Sequence, residues 1–194
     1  MYKVHYSLNQ SPFGISRLFV VFPLNINSRY TNMIYIVMGV SSSGKTLIGQ
    51  KLAEELDFAF YDADDFHPIE NVEKMESGQP LNDEDRLPWL QKIRRNMMQW
   101  EQTGGAVLAC SALKKSYRDI LNPSDIPTRF IYLKGSKEVI AKRMKKRSDH
   151  FMPESLLDSQ FRALEEPQNA VTVNVDQSPA DIVKEILAQL NYTK

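Results

Sequence analysis

Residues 39–46 have the composition and spacing of a phosphate-binding loop. The segment GVSSSGKT matches the pattern G-x-x-x-x-G-K-[ST] and lies between a short apolar run and a helical pattern. Glycines let the backbone curl so that its N–H groups converge on phosphate oxygens, and the following helix adds its positive dipole end. We expect Lys45 to reach the β- and γ-phosphates of ATP and the Thr46 hydroxyl to ligate Mg²⁺. The predicted nucleotide-binding residues of this loop are Gly39, Val40, Ser41, Ser42, Ser43, Gly44, Lys45 and Thr46.

The sequence lacks motifs that other classes of P-loop protein, such as GTPases, require. GTPases need a guanine-reading N-K-x-D motif, and the chain contains none. The apolar run at 106–110 is followed by Ser111 rather than by an aspartate that would support Mg²⁺. The supporting carboxylate must therefore come from another strand.

An acidic segment, DADDFHP at 62–68, directly follows the second apolar run. In a parallel sheet the carboxyl ends of the strands line the ligand crevice, so Asp62 and Asp64 are candidates for that role. One could hold Mg²⁺ through water, and the other could orient or deprotonate a substrate hydroxyl. His67 is a candidate substrate contact. The alternatives are a solvated acidic turn with a capping aspartate and a surface histidine.

The elements that must position these residues alternate between strand and helix. Short apolar runs predict strands at 33–38, 58–61, 106–110, 129–133 and 171–175. Helical patterns lie between them and at the end, at 45–56, around 87–103, and at 114–121, 137–146 and 179–190, and we expect Pro88 in the first turn of the second helix. This alternation predicts an α/β fold with a five-stranded parallel sheet covered by helices on both faces.

Charge and cysteine content narrow the class of protein. The 194 residues carry 24 basic and 24 acidic side chains, a balance that disfavours a general nucleic-acid binder. A lone cysteine, Cys110, suits a reducing compartment, so we expect a cytoplasmic protein. The apolar runs are shorter than the ~20 residues of a membrane helix, so no membrane partner is expected.

Residues 1–32 differ from the rest because they contain no aspartate or glutamate. We expect an N-terminal extension that is disordered or not native, followed by one P-loop domain at 33–194. A transit peptide or a poor signal peptide is the alternative.

Seven segments closely resemble bacterial-type gluconokinases. They are MGVSSSGKT at 38–46, DADDFHP at 62–68, NVEKMESGQPLNDEDRLPWL at 71–90, CSALKKSYRD at 110–119, FIYLKG at 130–135, HF at 150–151 and SQFRALEEP at 159–167. Ala63 and Ser42 stand where the family often has glycine, but neither is a fixed P-loop position. The resemblance implies a three-layer P-loop kinase fold like that of shikimate and nucleoside monophosphate kinases. It also implies Mg·ATP-dependent phosphorylation of D-gluconate at its 6-hydroxyl, often by a homodimer.

The resemblance also suggests where the sugar acid binds. Gluconate carries a carboxylate and five hydroxyls, so its site should pair a cation with several polar groups. Arg86 is the expected carboxylate clamp, unless it pairs with Asp83 or Asp85 at the surface. Further substrate-contact candidates, of which some would be solvated helix charges, are Ser111, Lys114 and Arg118. By resemblance to shikimate kinase, Asp62 is assigned to Mg²⁺ and Asp64 to the hydroxyl.

A basic segment supplies candidate nucleotide contacts. Arg143 and Arg147 lie four residues apart, on one helix face. In related kinases such arginines flank adenine and reach the transferred phosphate, which implies a cofactor contact for Arg143 and a catalytic one for Arg147. Residues 147–166 would then form a lid. The alternative for the basic segment is an ordinary solvated face.

Two other functions compete with this interpretation. One is a different kinase of the same fold, such as a shikimate or nucleoside monophosphate kinase, but those lack the block at 82–90. The other is a nucleotide-binding regulator without catalysis, but the intact Lys45, Thr46, Asp62, Asp64 and Arg147 disfavour it.

Overall fold

A parallel five-stranded sheet forms the centre of the molecule. The computed structural model describes residues 32–122, 124–145 and 154–192. Its strands are β1 (Ile34–Met38), β2 (Ala59–Asp62), β3 (Ala106–Ala109), β4 (Thr128–Lys134) and β5 (Val171–Asn174), in the sheet order β2-β3-β1-β4-β5. All four strand pairs are parallel. The loops that follow the strands therefore meet at one edge of the sheet, where ligands bind in such folds.

Helices cover both faces of the sheet. They are α1 (Lys45–Leu56), α2 (Ile69–Glu76), α3 (Asp83–Gln102), α4 (Lys115–Leu121), α5 (Lys137–Lys145), α6 (Glu154–Ala163) and α7 (Pro179–Gln189). A 3₁₀ turn at Ala63–Phe66 directly follows β2. The expected three-layer α/β kinase fold is confirmed.

Side-chain alternation along β1 creates two separate cores. Ile34, Ile36 and Met38 pack with α3 and α4 on one face. Tyr35 and Val37 pack with α1, α5 and α7 on the other face. Because successive strand residues point to opposite faces, a continuously apolar strand must be buried on both sides. The central strand that carries the P-loop is thus held from above and below.

The polar residues 62–86, to which the apolar patterns assign no helix before residue 87, contain the 3₁₀ turn and α2. Helix α3 also begins earlier than its apolar pattern indicates. Asn82 accepts from the Asp85 N–H, and the Asp85 carboxylate accepts from the Asn82 N–H, both at 2.8 Å. This capping box starts the helix at Asp83. The expectation that Pro88 lies in the first turn is therefore wrong, since it lies inside the helix.

The second polar stretch, at 147–170, contains α6. Residues 146–153 lie outside the described residues, as do 1–31. The N-terminal extension and the full extent of the lid therefore stay predictions. In the part of the chain that the structure describes, no helix combines the length and apolarity needed to cross a bilayer.

Candidate functional site

The P-loop connects the end of β1 to the start of α1, and two glycines give it its shape. Gly39 has φ +147°, and a Cβ there would lie 3.0 Å from the Leu133 carbonyl oxygen. Gly44 has φ +101° and is the residue immediately before α1. L-residues rarely adopt these angles. The Ser43 side chain is buried, and its hydroxyl has no hydrogen-bond partner among the described residues.

Thr46 joins the P-loop to the acidic segment. Its hydroxyl donates to Asp62 Oδ2 at 2.8 Å, across the carboxyl ends of two strands. A hydroxyl and a carboxylate are oxygen ligands of the kind that Mg²⁺ prefers, alongside water and substrate phosphates. In the ranges that the structure covers, no three His, Cys, Asp or Glu side chains cluster as a metal cage. A site with few protein ligands suits Mg²⁺, which keeps several waters.

Asp64 has an environment unlike that of an ordinary surface carboxylate. Its side chain is open to the crevice, yet surrounding protein partly desolvates it. This desolvation raises the pKa of Asp64, and repulsion from Asp62 raises it further, while Lys45 opposes both. A carboxylate with a raised pKa is a better proton acceptor when ionised.

His67 is held rigidly beside the acidic segment. Its ring stacks on Trp89, with centroids 4.3 Å apart and planes 10° apart. Trp89 in turn donates its indole N–H to the Ala63 carbonyl at 2.8 Å. Burial, and secondarily the nearby Arg86 charge, lowers the pKa of His67 to about 4. The imidazole is therefore neutral at pH 7; its Nδ1 lies 3.5 Å from the Asn71 amide nitrogen, so a contact with a hydroxyl would come from Nε2.

Arg86 and Lys114 flank one aromatic ring. The Arg86 guanidinium carbon lies 5.9 Å from the Tyr117 ring centroid, and Lys114 Nζ lies 5.5 Å from it. Arg86 donates to the carbonyls of Leu81 and Asn82. These backbone contacts hold the guanidinium in place without neutralising it.

The two acids considered as Arg86 partners are paired with lysines. Asp83 accepts from Lys114 at 2.6 and 2.7 Å and also from the Tyr117 hydroxyl. Asp85 accepts from Lys74 at 2.6 Å. The hydrogen bonds from Lys114 and then Tyr117 lower the pKa of Asp83. The alternative of an Arg86 ion pair with Asp83 or Asp85 is thus replaced by lysine pairs.

Ser111 and Arg118 lie beyond the end of β3 with different surroundings. The Ser111 carbonyl accepts from the Gly39 N–H at 3.3 Å, which places it against the P-loop. Arg118 is buried and donates to the carbonyls of Ala112 and Leu113 at 3.0 and 2.8 Å. These bonds stabilise the turn before α4. A substrate contact for either residue stays a prediction.

Arg143 reaches the P-loop from α5. It donates to the Ser43 carbonyl at 3.3 Å and to the Val175 carbonyl. The structure therefore brings it against the loop that is predicted to hold the phosphates. Arg147, the predicted catalytic arginine, lies outside the described residues.

Several residues around the site were not assigned a role from the sequence. Gln160 bonds the P-loop residue Ser41, Glu165 bonds the backbone at the start of α4, and Asp83 holds Lys114. All three lie in segments that resemble gluconokinases, so the available signal was that resemblance. Spacing could not reveal them because their partners are 31 to 119 residues away in the chain.

Comparisons with known proteins match this chain to a shikimate kinase family model and to gluconokinases. A family model described as shikimate kinase matches residues 41–191. The thermosensitive gluconokinase of Escherichia coli is 45% identical over 158 residues, covering 78% of this chain and 83% of that protein. A Xenopus tropicalis protein named as a probable gluconokinase is 44% identical over 82% of this chain and 94% of its own length. The crystal structure of a Sinorhizobium meliloti gluconokinase is 44% identical with a TM-score of 0.75, covering 82% and 92%.

Proposed function

Because the chain belongs to the gluconokinase family, we propose that it transfers the terminal phosphoryl group of ATP to the 6-hydroxyl of D-gluconate, giving 6-phospho-D-gluconate and ADP. The observation that carries the proposal is the contact between Thr46 and Asp62. It places a phosphate loop and an acidic loop side by side, as a kinase needs for its nucleotide and its acceptor.

The nucleotide side is assigned to the P-loop and Arg143. The Lys45 ammonium and backbone N–H groups of the P-loop would bind the phosphates, apart from the N–H groups of Gly39, Ser41 and Ser43, which donate within the protein. Thr46 and Asp62 would hold Mg²⁺, which supplies charge neutralisation when bound. Arg143, held against the Ser43 carbonyl, would contact the nucleotide. Arg147 is kept as the catalytic arginine of this proposal.

The acceptor side is assigned to the loops that follow β2 and β3. Asp64 would align the 6-hydroxyl and accept its proton as the bond to phosphorus forms. His67 would contact a sugar hydroxyl as a neutral ring, and Arg86 would clamp the carboxylate. Ser111, Lys114 and Arg118 complete the proposed substrate set. Lys114 is paired with Asp83, so the positive charge that it presents to the substrate would be partly neutralised.

The cellular context belongs to the same proposal. The family resemblance favours a homodimer. A lone cysteine, Cys110, which is buried at the end of β3, favours a reducing cytoplasm.

The acceptor is tested by measuring ADP release from Mg·ATP with a panel of acceptors. We expect turnover with D-gluconate and none above the acceptor-free rate with shikimate or nucleoside monophosphates. Mass spectrometry of the product should show one added phosphoryl group. Faster turnover with shikimate would assign the chain to the neighbouring kinase, and binding of ATP without turnover on any acceptor would favour a regulator.

Replacing Arg86 with alanine should raise the KM for gluconate about 10- to 100-fold while the KM for ATP changes little. The reason is that a charge-assisted pair contributes ~1.5–3 kcal/mol. Steady-state kinetics with each substrate varied in turn measures both constants. Arg94→Ala is the matched control, because Arg94 lies on the same helix and is 3.9 Å from the exposed Asp125. Equal increases in both KM values, or a large fall in melting temperature, would indicate a structural role through the Leu81 carbonyl.

A further inference from the structure

Residues 160–166, at the end of α6 and just beyond it, cross the ligand edge of the sheet. We call them the crossing segment. It contacts the P-loop after β1, residues 113–115 after β3, and Lys134 at the end of β4. These three strands are adjacent in the sheet. The segment therefore connects loops that belong to different halves of the site.

Its first contact is a two-point bond between Gln160 and Ser41. The Ser41 N–H donates to Gln160 Oε1 at 2.7 Å, and Gln160 Nε2 donates to the Ser41 hydroxyl oxygen at 2.8 Å. Both groups are partly buried. A primary amide can accept and donate at once, which neither a carboxylate nor an apolar side chain can do. The third residue of the P-loop is thus fixed from 119 residues away.

Its second contact is at the start of α4, in the loop proposed to face the acceptor. The Glu165 carboxylate accepts from the Lys115 N–H, and the Glu165 N–H donates to the Leu113 carbonyl at 3.0 Å. Both bonds of Glu165 go to backbone groups, which hold this residue more firmly than a pair of flexible side chains would. By contrast, Glu166 bonds Lys134 at 2.7 Å with both side chains about half exposed. Such exposed pairs contribute little.

We propose that the crossing segment sets the spacing between the phosphate loop and the acceptor loop, with Gln160 and Glu165 as positioning residues for phosphoryl transfer. This inference rests on the proposed function. Phosphoryl transfer depends on holding the acceptor oxygen close to and in line with the phosphorus. A displacement of about 1 Å can cost ~10²-fold in rate. A segment bonded to both loops controls that displacement directly.

The test compares transfer with hydrolysis in the full chain. Gln160→Ala and Glu165→Ala should each lower kcat for gluconate by about 10-fold or more. Both KM values should stay within about threefold, because the binding groups themselves are intact. The slow hydrolysis of ATP without gluconate should fall less than the transfer rate in both variants, since water needs no acceptor loop. The measured signature is a lower ratio of gluconate phosphorylation to ATP hydrolysis, which general damage to the fold would not produce.

Two substitutions provide matched controls. Arg162→Ala changes an exposed residue of the same helix, and Lys134→Ala removes the exposed cation that Glu166 bonds while keeping the bond between Glu166 and Tyr132. Both should keep the wild-type ratio. Gln160→Glu keeps the length but loses the donor and places a negative charge beside the loop assigned to the phosphates, so its KM for ATP should rise, unlike that of Gln160→Ala.

A double-variant cycle isolates the Gln160 contact. Ser41→Ala removes the hydroxyl that Gln160 bonds, so the double variant should lower the ratio of phosphorylation to hydrolysis by less than the product of the two single reductions. The inference would be overturned if the effects of the two single substitutions simply multiply in the double variant. It would also be overturned if transfer and hydrolysis fall by the same factor. If wild type does not phosphorylate gluconate, the proposed function fails, and the same cycle measured by thermal melting still decides whether Gln160 and Ser41 act as a unit.

Discussion

Replacing Lys45 with alanine is expected to lower kcat by about 10²-fold or more while the protein stays folded. The ammonium compensates charge that grows on the phosphates as the bond to the leaving oxygen lengthens, so its loss affects the transition state most. Lys45 lies at the first position of α1 and donates to the Val40 carbonyl at 3.1 Å. It therefore belongs to the P-loop itself.

Kinetics and thermal melting together check this prediction. The matched control is Lys51→Ala, an exposed lysine of the same helix, which should keep wild-type turnover. Lys45→Ala removes the hydrogen bond from the ammonium to the Val40 carbonyl. Because a hydrogen bond contributes little to stability, the melting temperature should shift by only a few degrees. Near-normal kcat in Lys45→Ala would refute the P-loop assignment.

Replacing Asp64 with asparagine is expected to lower kcat by about 10²-fold or more with ATP affinity nearly intact. Asparagine keeps the shape but cannot accept the proton of the 6-hydroxyl. Asp62→Asn should act differently, because Asp62 bonds the Thr46 hydroxyl at the proposed metal position. Excess Mg²⁺ should restore part of its rate. A Mg²⁺ titration of both variants beside wild type measures the difference; rescue of Asp64→Asn instead would reverse the two roles.

The raised pKa of Asp64 also predicts a pH effect. The ionised form is the proton acceptor, so kcat/KM should fall as pH decreases through a pKa above the usual 3.8 of aspartate. Asp64→Asn should lose this acidic limb. A raised folded-state pKa means that ionised Asp64 costs stability at neutral pH, and that this cost is relieved as pH falls. The melting temperature of Asp64→Asn at pH 7 should therefore equal or exceed that of wild type, while a lower value would indicate a structural carboxylate.

The order of elements and the nucleotide loop could be predicted from the sequence because both depend on local patterns. A glycine-serine loop between an apolar run and a helical pattern specifies the P-loop without reference to the rest of the chain. Helix α1 begins and ends where its pattern indicates, at Lys45 and Leu56. The acidic pair at 62 and 64 was identified because the end of a parallel strand is a predictable place.

The start of α3 was harder to predict. A capping box overrode the apolar pattern and moved Pro88 inside the helix, since two satisfied N–H groups at the helix start offset one lost hydrogen bond. Helix α2 was missed because it spans only 8 residues and the residue that it buries is the polar Asn71.

Local sequence patterns specify the fold class, the phosphate loop and the acidic loop beside it. The folded arrangement of the loops selects the lysine that pairs with Asp83, the carbonyls that hold Arg118, and Ser41 as the partner of Gln160. The partners in each of these contacts are far apart in the chain, and other residues of the same type compete for them. Several cations and amides of the chain could bond to each of these groups. The one that does so depends on which loops the sheet order brings together. The spacing of residues along the chain does not specify that order.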